Sequence, residues 1–324
     1  MTQINFTTAL WHQSDQTSVL KKAPFHTNEK DTVTVKSLYS LISTGTERLV
    51  ATGKVPKELH ETMQVQAMEG DFSFPVKYGY SVVGEVLSEG NLQGQRVHLM
   101  HPHQDYLSVS PTILSVVPKE VPPKRASLAS NVETALNAVW DSQVSVGDRV
   151  VVVGFGMIGG LVARVLSLLP AVEVFVCEQN PFRAALAKEM GFSVATEAPQ
   201  NCDVSFHTTS SAEGLQAAIE AVGMEGKIVE LSWYGTREVS LQLGGSFHQQ
   251  RKQIISSQVG QIPSNKSARW DYGRRKKVVW KLLKNPLFDA HITHEVPFPK
   301  SPIFFQKLRT GGLEKDGLGW VIRY

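Results

Sequence analysis

Apolar and polar positions alternate in short runs through the first part of the chain, then give way to longer apolar stretches. Thr32-Val33-Thr34-Val35 alternates residue by residue and predicts a strand, and Val82-Val83-Gly84-Glu85-Val86 and Arg96-Val97-His98-Leu99 are further strand candidates. Glycines and prolines separate these runs. A polar insertion, 54–71, interrupts them, and its 56–66 segment is expected to be helical. Pro118, Pro122 and Pro123 mark the exit from this β-rich region. From about Ser130 the rhythm becomes alternating helix and strand. Residues 150–153 form a continuous apolar run, the pattern of a strand covered on both faces. A glycine turn and an apolar helix, 157–168, follow, and 172–177 is the next strand. Asn180 caps a helix with Pro181 at its first position, and Gly191 stops it. Strands are expected at 203–206, 227–231 and 253–257, so the order β-α-β-α-β predicts a parallel, doubly wound sheet. A basic helix is expected over 268–283, ended by Asn285-Pro286, and a last strand, 321–324, returns to the first domain.

A length of 324 residues favours two domains, and an apolar share of 42% suffices for full cores. The 33 basic and 30 acidic side chains leave a net charge of +3, too slight for a nucleic-acid surface. Cys177 and Cys202 are the two cysteines, which excludes a disulfide framework or a four-cysteine zinc lobe. The first 20 residues lack a basic head followed by an apolar stretch, so no signal peptide is expected. The most apolar run, 150–169, is broken by glycines and carries Arg164, which makes it a poor membrane span. A cytoplasmic protein is the expectation.

The chemistry concentrates in Gly154-Phe155-Gly156-Met157-Ile158-Gly159, a GxGxxG that follows a strand and opens a helix. Gly154 permits the tight turn, Gly156 lets backbone approach a pyrophosphate, and Gly159 lets helix and strand pack closely. The helix start offers free N–H groups and partial positive charge. Glu178 stands at the tip of the second strand, about 20 residues on, where an acid accepts the adenosine ribose hydroxyls and repels a 2′-phosphate. NAD(H) is therefore favoured. Arg183 lies close by and leaves NADP(H) open.

Beyond this Rossmann unit the sequence resembles the medium-chain dehydrogenases of the GroES-like alcohol dehydrogenase type. Gly79-Tyr80-Ser81-Val82-Val83-Gly84-Glu85-Val86 occupies the slot of that family's GHExxGxV, and Gly94-Gln95-Arg96-Val97 matches its GDRV. Thr293-His294-Glu295-Val296-Pro297-Phe298 resembles the pattern before the last helix, with Phe305 and Leu308 also in place. Ile42-Ser43-Thr44-Gly45-Thr46-Glu47 is similar to a segment of the hydroxyethyl bacteriochlorophyllide dehydrogenases, a match too short to carry a substrate. The resemblance implies an α/β protein: a GroES-like β-rich catalytic domain at 1–129 and 260–324, and a Rossmann domain at 130–259. It further implies that Thr134 lies beside the nicotinamide, that Arg183 contacts ribose, and that the strand ends at 231–234 and 257–259 face the carboxamide. A small-molecule substrate and a homodimer are expected, with no nucleic-acid or membrane partner.

Where the family holds catalytic zinc with cysteine, histidine, an acid and a further cysteine, this sequence has Thr44, Tyr80, Ser81 and Ser130. Hydroxyls cannot replace thiolate and imidazole on a borderline-soft cation, so no zinc is expected. Carbonyl polarisation then falls to hydrogen-bond donors. Tyr80, Thr46, Thr44 and Ser81 form the candidate catalytic set, converging on the former metal site, with Thr46 matching the family's proton-passing Ser/Thr. Lys77 is placed to depress the phenol of Tyr80. His98, His101 and His103 have a ligand-like spacing, but a PHxxY-like family loop matches Pro102-His103-Gln104-Asp105-Tyr106, so a structural loop is expected. The run Arg274-Arg275-Lys276-Lys277 reads as a solvated helix face. The leading reading is a zinc-independent NAD(P)-dependent dehydrogenase acting on an alcohol/carbonyl pair. An enone/quinone reductase and a non-catalytic dinucleotide sensor remain as alternatives.

Overall fold

A computed structural model describes residues 4–26, 31–313 and 316–324. The chain divides into two compact units, Met1–Ser130 with Ile292–Glu314 and Gly319–Tyr324, and Asn131–His291 with Lys315–Leu318.

The first unit opens with β1 (Phe6–His12), β2 (Ser18–Pro24) and β3 (Val33–Ile42). Short strands follow: β4 (Glu69–Gly70), β5 (Val76–Lys77), β6 (Val82–Val86), β7 (Arg96–Leu99), β8 (Tyr106–Val109) and β9 (Ser115–Val116). The alternating run at 32–35 is only the start of β3. Its extension is secured by antiparallel pairing with β6 as far as Ser40 and with the C-terminal segment Trp320–Arg323 as far as Ile42, and its first residues pair with β8. The polar insertion carries a single 3-10 turn, Lys57–Leu59, in place of the expected helix. Its Lys57, Glu58, Glu61, Thr62 and Gln64 supply no continuous apolar stripe, and short helices without one are marginal.

The second unit supplies β10 (Arg149–Val153), β11 (Glu173–Cys177), β12 (Ser193–Ala195), β13 (Cys202–His207), β14 (Val222–Glu230) and β15 (Gln253–Ser256). All pair in parallel, in the order β12-β11-β10-β13-β14-β15. The order reverses at β10, which has β11 on one side and β13 on the other, the switch point at which open α/β sheets bind ligands. Val151, Val153 and Ile228 pack against Leu215, Ala218 and Ile219 of the helix Ala212–Ala221.

The chain returns with β16 (His294–Pro297) and β17 (Trp320–Arg323), which complete a seven-stranded sheet ordered β16-β17-β3-β6-β7-β9, with β8 on β3. The other sheet of the first unit runs β2-β1-β5-β4. Phe304, Phe305 and Leu308 of the helix Ser301–Thr310 pack on Leu10, Ile42, Trp320 and Ile322.

The return begins at Ile292, so residues 260–291 belong with the second unit rather than, as expected, with the first. The reason is a buried cation. Arg275, on the helix Tyr272–Leu283, donates to Glu133 Oε1 (3.3 Å), Asn137 Oδ1 (2.8 Å) and the Val259 carbonyl (2.8 Å), and Lys276 pairs with Glu133 as well. Half of the run expected to be a solvated face is therefore an anchor. Removing one partner of such a pair costs about 3–5 kcal/mol, because the other charge stays buried.

Candidate active site and dinucleotide turn

β10 ends in a turn whose geometry matches the demands of a diphosphate. Gly154 sits at φ +97°, and a Cβ there would lie 2.7 Å from Thr209 Cγ2, so only glycine fits. Thr208 braces the turn by donating to the carbonyls of Val153 (3.1 Å) and Gly154 (3.0 Å). A Cβ on Gly159 would stand 2.0 Å from the Gly154 carbonyl oxygen, so the helix Met157–Leu166 packs on the turn at glycine distance. Gly156 is different: a Cβ there would meet nothing within 4 Å. Open space thus lies beside the helix N-terminus, where unpaired amides and the helix dipole favour an anion. Phe155 is fully buried against Phe192 (5.7 Å), so it holds the turn by packing, and Met157 and Ile158 begin the helix.

Glu178, just past β11, is buried rather than a solvated strand end. Its Oε2 accepts the Phe155 N–H (2.7 Å) and its Oε1 the Asn180 N–H (2.7 Å). A carboxylate offers about four acceptor sites, so two remain for a sugar diol. Asn180 caps the helix Pro181–Glu189 as expected, accepting the Arg183 N–H at 3.0 Å. Arg183 is half-buried and its Nε points to the Gly317 carbonyl (3.4 Å). Thr134 is half-buried on the helix Ala129–Ser142. These residues fit a nicotinamide dinucleotide: acid at the ribose position, open backbone at the phosphate position.

In the first unit, the helix Thr44–Ala51 and the turn before β6 bring hydroxyls together. Tyr80 is half-buried, and its phenol hydrogen-bonds with the side chains of Ser43 and Thr46. That phenol is pushed up to about 12, chiefly by burial and in part by the Glu47 carboxylate, with the Ser43 and Thr46 hydroxyls opposing the shift. Tyr80 therefore stays protonated near neutrality and acts as a donor. Lys77 does not depress it, because its ammonium is bound to Glu69 and to Gln104 Oε1 (2.9 Å).

Thr44 is half-buried at the first position of the same helix as Thr46. Ser81 departs from the expected set. It is fully buried, donates to the Ser127 carbonyl (2.6 Å) and meets His98 Nε2 at 3.0 Å, so its proton is engaged away from the Tyr80 hydroxyl cluster. Ser130 likewise donates to the Tyr80 carbonyl (3.0 Å).

The three histidines go three ways. His98 joins Ser81 and Ser130, His101 meets the Pro102 carbonyl (2.9 Å), and His103 meets Glu47 Oε2 (2.8 Å). Among the described residues no group of three or more His, Cys, Asp or Glu side chains is placed to hold a metal ion.

Sequence reasoning missed the support under Tyr80. Glu47 and His103 have no exposed surface. Glu47 Oε1 accepts the Ser43 N–H (2.8 Å), which fixes the start of the helix that presents Thr46. His103 Nδ1 continues to Ser40 Oγ (2.7 Å), and Ser40 to the Tyr324 hydroxyl (2.9 Å). The S-x-x-x-E spacing from Ser43 to Glu47 is a weak local signal, and the loop expected around His103 gives no local sign of its pairing with Glu47.

No protein-family model matches the sequence. D-guloside 3-dehydrogenase of Escherichia coli (strain K12) is 27% identical over 195 residues, covering 55% of this chain and 56% of the relative. The chain thus spans about half the length of the first curated relatives it matches. The solved structure of 2R,3R-butanediol dehydrogenase from Bacillus subtilis superposes with a TM-score of 0.76 at 19% identity, covering 98% of this chain and 99% of that one. A short chain alcohol dehydrogenase of Escherichia coli CFT073, solved with NADH, gives 0.76 at 16% identity, over 99% and 100% of the two chains. The fold is that of the medium-chain alcohol dehydrogenases, a Rossmann unit joined to a GroES-like unit. The named relatives are dehydrogenases, and solved neighbours carry NADH or NADPH.

Proposed function

We propose that this chain is a zinc-independent oxidoreductase that moves hydride between a nicotinamide dinucleotide and an alcohol/carbonyl pair, with NAD(H) favoured over NADP(H). The observation that carries the reading is the glycine turn, closed by Gly154 and Gly159 and open at Gly156, with Glu178 fixed beside it. The bound dinucleotide supplies or accepts the hydride. The chain's own residues bind its diphosphate, hold its ribose and supply the proton. Tyr80, kept protonated by burial and steadied by Ser43 and Thr46, donates a hydrogen bond to the substrate oxygen and, in the reducing direction, the proton it needs. Thr44 lines the start of the same helix. Glu178, with its amide partners already in place, meets a 2′-phosphate with an immobile negative charge, which supports the preference for NAD(H).

Freedom from zinc rests on the donor set. Hydroxyls stand where the resemblance puts soft ligands, and those of Ser81 and Ser130 already donate to backbone carbonyls. The test is a panel of alcohols, aldehydes, ketones, enones and quinones with NADH, NAD+ and the phosphorylated pair, before and after chelator dialysis. Carbonyl or alcohol turnover that survives chelation is expected. Turnover abolished by chelation and restored by zinc refutes the metal claim. Consumption of enones and quinones alone assigns reduction of C=C bonds, and tight dinucleotide binding without turnover assigns a sensor.

A further inference from the structure

At the carboxyl edge of the Rossmann sheet, next to the phosphate turn, lies a second polar cluster, whose His207 and Glu230 have no role assigned so far and whose Ser232 and Tyr234 fall in the 231–234 strand end. His207 ends β13 and Glu230 ends β14, paired in register across the two parallel strands. His207 Nδ1 lies 2.9 Å and 2.8 Å from the two Glu230 carboxylate oxygens. The Ser232 N–H donates to Glu230 Oε1 (2.7 Å) and the Tyr234 hydroxyl to Oε2 (3.0 Å), with the Tyr234 ring stacked on the imidazole. His207 Nε2 meets Thr209 Oγ1 at 2.6 Å, and Thr209 is the residue that abuts Gly154. The cluster therefore adjoins the turn through Thr209.

Ser211 Oγ lies 3.1 Å from Thr209 Oγ1, which in turn lies 2.6 Å from His207 Nε2. Glu230 brings the cluster its acidic group, and His207 Nδ1 faces both of its oxygens. Arg237 keeps its positive charge over the Tyr234 ring (5.9 Å), with its Nε donating to the Tyr234 carbonyl (3.4 Å) and its Nη2 to the Ser210 carbonyl (3.0 Å). Three donors hold the carboxylate while 13% of the side chain stays exposed, which leaves acceptor capacity facing outward.

Sheet order says what lies over it. Glu178 fixes the adenosine end of a dinucleotide at β11 and the turn after β10 fixes the phosphates, so the far half continues past β13 and β14. Resting on the dinucleotide reading of that turn, we propose that Glu230 receives the nicotinamide half of the cofactor and favours its oxidised, positively charged ring over the reduced, neutral one. His207, Ser232 and Tyr234 are positioning residues that hold the carboxylate at the sheet edge.

The test is titration of the whole chain, and of its Glu230→Gln and Tyr234→Phe variants, with NAD+, NADH and ADP. Glu230→Gln is expected to weaken NAD+ on the order of tenfold, as for one charge contact at partly solvated range, and NADH by less than about threefold, with ADP unchanged. Tyr234→Phe keeps the carboxylate but removes a donor, so the preference for NAD+ rises. Equal weakening of both redox forms by Glu230→Gln, or none, with ADP affinity intact, overturns the proposal. If Glu230→Gln loses ADP as well, through damage to the turn, Tyr234→Phe decides, and a preference at or below that of the unaltered chain overturns it. An unaltered chain that binds neither dinucleotide fails the underlying reading instead.

Discussion

Gly156→Ala separates binding from folding at a single atom. Gly156 has φ −77° and ψ −172°, a conformation open to alanine, and its Cβ would meet nothing within 4 Å. As the residue before the helix Met157–Leu166 it acts as an N-cap, where alanine is poorer than glycine by about 0.5–1 kcal/mol. Restricting the unfolded chain returns about 0.4–1 kcal/mol, so the variant is expected within about 0.5 kcal/mol of the parent in urea unfolding. On the proposed dinucleotide reading, the methyl stands where a pyrophosphate approaches the backbone. Forcing a methyl group into a filled contact costs roughly 1–3 kcal/mol, so NADH affinity by calorimetry should fall about tenfold to a hundredfold. Gly159→Ala has the opposite signature. Its Cβ would lie 2.0 Å from the Gly154 carbonyl oxygen, a backbone atom that cannot swing away, so stability falls by about 1–3 kcal/mol or more. A Gly156→Ala chain that binds NADH as the parent does, or that unfolds far more readily, refutes the assignment of that space to the diphosphate.

Further outcomes follow from the first unit and from burial. Tyr80→Phe removes the phenol that burial holds at about 12, so turnover should drop by a factor of about a hundred or more with NADH affinity unchanged; unchanged turnover removes Tyr80 as donor. Ser81→Ala strands the Ser127 carbonyl and should cost about 1–3 kcal/mol in urea unfolding while turnover stays near the parent's; collapsed turnover at full stability would place Ser81 in the proton path. Burial holds His101 and His291 down at about 4, against an ordinary 6.5. Above that ordinary value both folded and unfolded chains are neutral there; below it the unfolded chain takes the proton first, so stability is lost as pH falls, by about 3 kcal/mol per imidazole near pH 4. Urea midpoints of His291→Gln should therefore fall less steeply with acid than the parent's, and parallel curves would contradict this.

What could be read from sequence is what is local in sequence. The turn Gly154 to Gly159 is six contiguous residues whose roles follow from backbone geometry, and the Asn180-Pro181 cap is a nearest-neighbour effect. The pairings were not legible, because they join distant segments. Lys77 was aimed at Tyr80 by proximity in sequence, but its partner Gln104 is brought in by the fold. Arg275 sits in a run that reads as solvated, and only packing reveals Glu133 and Asn137 beneath it. Ser81 follows Tyr80 directly, and the local backbone sends its side chain to Ser127 and His98 instead. His207 and Glu230 are 23 residues apart and meet only because parallel register places them opposite each other.

The most direct test is titration of the unaltered chain with NADH and with NADPH, followed by calorimetry. Saturable association at a one-to-one ratio, tighter for NADH, is the predicted result, since amides at the turn grip the diphosphate and Glu178 opposes a 2′-phosphate. No heat with either compound, from a chain shown to be folded, would contradict the account at its root.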